Sequence, residues 1–213
     1  MQLRGTPVEI LTAVAMQHPE VLLLMENTRQ IVPFIKRQIT DYQAAPLYAL
    51  AKQYNREGAR ILEIGTAWGY SCAVMAQAAP KAQIVTLNPK PSEVEVARQN
   101  LSLFRNVEVR QQLSTEYWTT YQGPNLDMVF VDGDHSYNGV MADCVWFNHL
   151  NAGGLILFHD YSPAGSKRAT PEVFRAVNDF TERLGRSPDV SIIDNGSVGM
   201  VGYYRRENEV WNG

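Results

Sequence analysis

Three segments of this 213-residue chain carry residue types that can do chemistry. The first is the turn Glu63-Ile64-Gly65-Thr66-Ala67-Trp68-Gly69-Tyr70-Ser71, where a carboxylate ends an apolar run and two glycines let backbone approach a ligand or bend tightly. The second, Asp132-Gly133-Asp134-His135, follows the apolar run Met128-Val129-Phe130-Val131. The third, His159-Asp160, follows Leu155-Ile156-Leu157-Phe158. Carboxylates and imidazoles at such points can orient a polar ligand and exchange a proton with it, which makes Asp132, His135 and His159 candidate catalytic groups. The turn does not spell the dinucleotide fingerprint. Positions 65 to 70 read Gly-Thr-Ala-Trp-Gly-Tyr where Gly-x-Gly-x-x-Gly is required, and Trp68 would crowd a pyrophosphate. Taken alone, its glycines serve packing as well as they serve a ligand.

The elements that must position these groups alternate in type. Residues Pro7 to about Gln38 read as helical with Pro33 as an interruption, and Pro46 starts a helix carrying Leu47, Leu50, Ala51 and Tyr54 on one face. Arg60 to Ile64 reads as a strand, Ser71 to Ala79 as a helix, and Gln83 to Leu87 as a strand. Ser92-Glu93-Val94-Glu95 is a capping-box sequence opening a helix, followed by a short strand near Val107 to Val109 and a helical turn near Glu116 to Thr120. Asp127 to Val131 suits the centre of a parallel sheet. The helix of Val140, Cys144, Val145 and Phe147 leads to the strand Leu155 to Phe158, and Thr170-Pro171 opens a helix carrying Val173, Val177, Phe180 and Leu184. Val190 to Ile193 and Val198 to Tyr204 flank Asp194-Asn195-Gly196-Ser197, a hairpin signal. Repeated βα units closed by a hairpin predict a three-layer αβα sandwich around a mostly parallel sheet. In such sheets ligands bind beyond the carboxyl ends of the strands, where the three chemical segments lie.

Composition narrows the function. The chain is 45% apolar and 19% charged, as expected for an ordinary globular domain. Nineteen basic against 22 acidic residues, net −3, form no broad electrostatic footprint for nucleic acid or an anionic membrane. Cys72 and Cys144 sit in apolar stretches and read as buried free thiols of a reducing compartment. Apolar pieces near the N-terminus are short and interrupted by Glu9 and Glu20, so a cytoplasmic protein is expected. Trp118 and Trp146 read as core, Trp68 and Tyr70 as cavity-lining. His149 reads as a helix-end cation, Arg205-Arg206 as a solvated tail, and Lys167-Arg168 as a basic pair in the loop covering the cleft.

The turn resembles motif I of class I S-adenosylmethionine-dependent methyltransferases, Glu-x-Gly-x-x-x-Gly-x-Ser in the small-molecule O-methyltransferase branch, here Glu63, Gly65, Gly69 and Ser71. The segments Asp127 to Tyr137 and Gly153 to Tyr161 are similar to signatures of the bacterial methyltransferase domain 24 family, related to catechol and caffeoyl-CoA O-methyltransferases. The resemblance covers about residues 40 to 205 and implies a Rossmann-like, seven-stranded sheet. It divides the chain into a helical extension over 1–40, cap or interface, and a methyltransferase domain over 41–213. It implies that Glu63, Gly65, Thr66, Ala67, Trp68, Gly69 and Ser71 hold the methionine and ribose side of the cofactor, Glu63 as partner of its ammonium. Asn88 stands where the family has a ribose-binding acid, and an amide there implies weaker binding. Ser114 falls near the adenine, and Asp132 and Asp134 near the cofactor.

The resemblance also implies a divalent ion on Asp132, His159 and Asp160. Strands about 4.8 Å apart would bring these groups to one cleft. Relatives carry an all-oxygen set suited to Mg²⁺, whereas His159 favours Mn²⁺, Fe²⁺ or Zn²⁺. A metal-free alternative uses His159 or His135 as general base, and a third reading makes the polar strand ends structural. The expected activity is in-line transfer of a methyl group from S-adenosylmethionine to an oxygen of a small-molecule acceptor. The alternatives are an inactive cofactor-binding module and an NAD-linked oxidoreductase. The expected partners exclude nucleic acid and membrane. A homodimer formed through the apolar N-terminal segment is left open.

Overall fold

The computed structural model describes residues 1–31, 39–162, 170–194 and 199–213. Its elements run β1 (Gln2–Gly5), α1 (Pro7–Gln17), α2 (Glu20–Ile31), α3 (Asp41–Lys52), β2 (Arg60–Ile64), α4 (Tyr70–Ala78), β3 (Gln83–Leu87), α5 (Pro91–Asn100), β4 (Val107–Arg110), α6 (Ser114–Thr120), β5 (Leu126–Val131) and α7 (Tyr137–Asp143). A 3₁₀ segment (Cys144–His149), β6 (Leu150–Tyr161), α8 (Pro171–Leu184), β7 (Val190–Asp194) and β8 (Gly199–Tyr204) complete the chain. Pro33, the Lys167-Arg168 pair and the Asn195-Gly196-Ser197 turn lie outside the described residues.

The strands form one sheet in the order β1-β7-β8-β6-β5-β2-β3-β4. β8 is antiparallel to both neighbours, β6 and β7, as the hairpin signal predicts, and the remaining pairs are parallel. Alternation along β5 divides the core. Met128 and Phe130 face the layer of α1 to α4, whereas Val129 and Val131 face that of α7, the 3₁₀ segment and α8. The expected αβα sandwich is therefore present.

Several local expectations are corrected. Among the described residues the sheet has eight strands rather than seven, because Gln2–Gly5 pairs in parallel with Ser191–Asp194 and covers what would otherwise be the free edge of β7. β1 joins the sheet, and Ile10, Val14, Val21 and Met25 belong to the buried cluster on the α3 and α4 side. Helix α3 begins at Asp41 rather than Pro46. Thr40 caps it, its backbone N–H and hydroxyl donating to Gln43 Oε1 at 2.8 and 2.9 Å, and Pro46 is carried inside a helix whose residues 42 to 51 are all buried. Helix α5 begins at Pro91, whose fixed φ suits the first helical position, so Ser92 does not act as the cap. Trp118 is 41% exposed, because α6 turns its neighbour Tyr117 inward.

Candidate functional site

The chain leaving β2 is hemmed in on both sides. Ile64 pairs with Leu87 of β3 and with Val131 of β5, and the backbone N–H groups of Gly65 and Thr66 both donate to the Leu87 carbonyl. Gly65 has φ +102°, and a Cβ there would stand 2.0 Å from the Asp132 carbonyl oxygen. Gly69, at φ +94°, is the N-cap of α4, and a Cβ there would meet the Leu101 side chain at 2.8 Å. Both motif glycines are thus demanded by close approach of the chain to itself, before any ligand is considered.

Glu63 lies on the β2 face turned toward α4 and is fully buried. Ser71 Oγ donates to its Oε1 at 2.5 Å and Thr86 Oγ1 to its Oε2 at 2.5 Å, and the Thr66 and Thr86 hydroxyls are also bonded. Burial pushes the Glu63 carboxyl up to about 7, with the Ser71 and Thr86 bonds opposing the rise and nearby Asp132 adding to it. Glu63, Thr66 and Ser71 therefore brace the 65–69 turn from beneath and are not among the residues that line the cavity. Trp68 and Gly69 do not line it either. The Trp68 carbonyl instead accepts from Asn100 Nδ2 at 2.9 Å. Tyr70 is buried in the core.

A cavity of about 650 Å³ opens where β2, β3 and β5 end. Gly65, Ala67, Asn88, Ser114, Asp132 and Asp134 of the sequence-derived set line it, together with His135. No described residue of the N-terminal helices does so. Two acids unnoticed in the sequence also face it, Glu93 and Asp143. Asp143 is 3% exposed and accepts a hydrogen bond from Ser114 Oγ. Burial pushes its carboxyl up to about 7 against that bond. Its signal was available, since a carboxylate sits among Val140, Cys144 and Phe147 on an apolar face. Glu93 was concealed by its place in an apparent capping sequence.

Beside the cavity the polar ends of β5 and β6 converge. Asp132 N–H donates to the Ile64 carbonyl at 2.8 Å, tying the end of β5 to β2. The pairing of β6 with β8 is irregular between Phe158 and Tyr161, and Asp160 there adopts φ +57°, a conformation that Asp tolerates better than most residues. His159 Nδ1 lies 3.1 Å from Asp132 Oδ1 and 3.2 Å from Asp160 Oδ1. His135 joins from the cavity mouth, its Nε2 2.8 Å from Asp160 Oδ2 and 3.5 Å from Asp132 Oδ1. Burial alone would lower the His159 pKa, but Asp132 and Asp160 outweigh it and raise the value to about 10. Asp132 and Asp160 likewise raise His135 to about 10. Both shifts run toward the imidazolium form, which flanking carboxylates favour.

The ligand-type atoms of Asp132, His159 and Asp160 all lie within 4.8 Å of one another. Two carboxylates and an imidazole so close together suit a divalent cation of borderline softness, which would replace the histidine protons. Elsewhere, the pKa of His149 is lowered by burial and by Arg205, so it is neutral rather than a helix-end cation. Arg205 is more than a solvated tail residue, since its guanidinium donates to the Leu150 and Glu209 carbonyls.

A mostly parallel sheet closed by a hairpin, with a cavity at the ends of its strands, is a Rossmann-like α/β fold. Residues 62–161 match the family described as "Methyltransferase domain", methyltransferase domain 24. The chain is 35% identical over 105 residues to a catechol O-methyltransferase of Mycobacterium tuberculosis, covering 47% of each chain. It is 29% identical over 140 residues to an uncharacterized protein of Acanthamoeba polyphaga mimivirus, covering 61% of this chain and 62% of that one. The matched segments thus span less than two thirds of either curated relative. Its fold is similar to that of the O-methyltransferase of Bacillus cereus solved with S-adenosylhomocysteine, at a TM-score of 0.67 and 20% identity over 85% of this chain and 90% of that one.

Proposed function

We propose that this protein transfers a methyl group from S-adenosylmethionine to an oxygen of a small-molecule acceptor. The observation that carries the reading is the cavity at the ends of β2, β3 and β5, whose walls come largely from the segment that matches the methyltransferase family. In this reading Gly65 and Ala67 give the cofactor backbone to lie against, Ser114 and Asp143 face its base, and Asp132 and Asp134 border its reacting end. Glu63 acts from below the turn, as a buried carboxylate whose ionised form a cationic ligand would favour. The near-neutral charge supports a small acceptor over nucleic acid, and two buried free thiols support a cytoplasmic site of action.

Asp132, His159 and Asp160 are the residues that would hold a divalent ion, and their mixed nitrogen and oxygen donors suit Mn²⁺, Fe²⁺ or Zn²⁺ better than Mg²⁺. Such an ion would supply charge stabilisation for an acceptor oxygen as its proton leaves. The mutual closeness of the three groups, within 4.8 Å, is what supports the ion. Calorimetry with S-adenosylmethionine and S-adenosylhomocysteine tests the proposal, followed by labelled-methyl transfer to a panel of hydroxylated acceptors. Saturable binding of both ligands is expected, and a folded sample that binds neither refutes it.

A further inference from the structure

The corner of the cavity at the end of β3 is built unusually. Asn88 is only 4% exposed, and its amide is already committed. Its Oδ1 accepts from the Lys90 backbone N–H at 3.0 Å, and its Nδ2 donates to Glu93 Oε2 at 2.8 Å. The amide thus holds a neighbouring carboxylate in place, with one of its two N–H groups and one of its two acceptor lone pairs taken up by these bonds. Glu93 lies in the first turn of α5 and lines the cavity with Asn88 and Lys90. Among the described residues its Oε1 has only Lys90 Nζ as partner, at 3.3 Å, and that lysine side chain is 69% exposed while the Glu93 side chain is 23% exposed. A contact so open to solvent is readily exchanged.

The other cavity acids are committed differently. Asp132 is held by His159 and borders His135. Asp134 receives the Ser136 backbone N–H at 2.9 Å and the Ser136 hydroxyl at 3.0 Å. Asp143 is enclosed and bonded by Ser114. Glu93 is therefore the cavity carboxylate oriented from behind and open in front. A carboxylate so placed can accept hydrogen bonds from two adjacent hydroxyls at once, and charge-assisted bonds of this kind are the strong ones.

Resting on the reading of the cavity as a nucleoside-cofactor site, we infer that Glu93, held by Asn88, binds the vicinal hydroxyls of the cofactor ribose. The carboxylate is supplied from the first turn of α5 instead of from the end of β3. The test is calorimetry of the full chain with two probes, S-adenosylhomocysteine and its 2′-deoxy analogue, on wild type and Glu93→Gln. Wild type is expected to bind the deoxy analogue about tenfold or more weakly, and Glu93→Gln to lose about as much on the parent ligand while no longer distinguishing the two. Wild type that binds both probes equally overturns the assignment without any variant. A Glu93→Gln protein that keeps the full discrimination overturns it too. Wild type that binds neither probe overturns the cofactor reading itself, a result distinct from either of these.

Discussion

Replacing Glu63 with Gln keeps the shape of the side chain and removes its charge, and the burial of this residue sets the size of the effect. Its carboxyl is fully buried, and its pKa rises from the ordinary 4.5 to about 7. The folded value lies above the unfolded one. Below pH 4.5 the group is protonated in both states and contributes no penalty. Between 4.5 and about 7 the unfolded chain ionises first and the native state loses stability, and above 7 the whole penalty is present, roughly 3 kcal/mol. The substituted amide can still accept from Ser71 through its oxygen and donate to the Thr86 hydroxyl through its nitrogen. Glu63→Gln is therefore expected to match wild type near pH 4 and to exceed it by up to roughly 3 kcal/mol at pH 8, a rise in Tm of about 6–12 °C for a chain of this size. The cofactor moves the other way. S-adenosylmethionine, a net cation through its sulfonium, favours the ionised carboxylate, so wild-type affinity for it should rise with pH through about 7, while the variant binds more weakly and with a flat profile. Urea denaturation of the ligand-free proteins from pH 4 to 8, paired with calorimetry, measures both. A stability difference that does not change with pH refutes the argument, as does a variant with the affinity profile of wild type.

Other outcomes follow from the same geometry. Gly65→Ala places a Cβ 2.0 Å from the Asp132 carbonyl at φ +102° and should cost more than about 3 kcal/mol, whereas Gly153→Ala, at φ +80° with nothing within 4 Å, should cost only about 1 kcal/mol; thermal melts compare them. Mn²⁺ added to metal-free protein should bind more tightly as pH rises, because the His159 proton must leave, and Asp132→Asn or His159→Gln should weaken uptake by more than about tenfold, as read by electron paramagnetic resonance. Absence of Mn²⁺ uptake by wild type at pH 8 would remove the ion from the proposed function.

The layered architecture is legible in the order of residues alone, because alternating apolar periods report locally which face of each element is buried. Met128 and Phe130 on one face of β5, with Val129 and Val131 on the other, require helices on both sides. The chemistry can be located in the same way, since Glu63, Asp132, His159 and Asp160 interrupt or end apolar runs at the strand ends. What each group faces is settled only by packing. Glu63 was legible as a functional acid, yet only the register of β2 against β3 shows that Thr86 and Ser71 enclose it beneath the turn. His135 enters the Asp132–His159–Asp160 cluster through the bend of its loop and the irregular end of β6. The eighth strand joins residues nearly 190 apart, and Glu93 and Asp143 reach the cavity from two different helices. Such pairings depend on how distant segments pack, which no local pattern of residue types encodes.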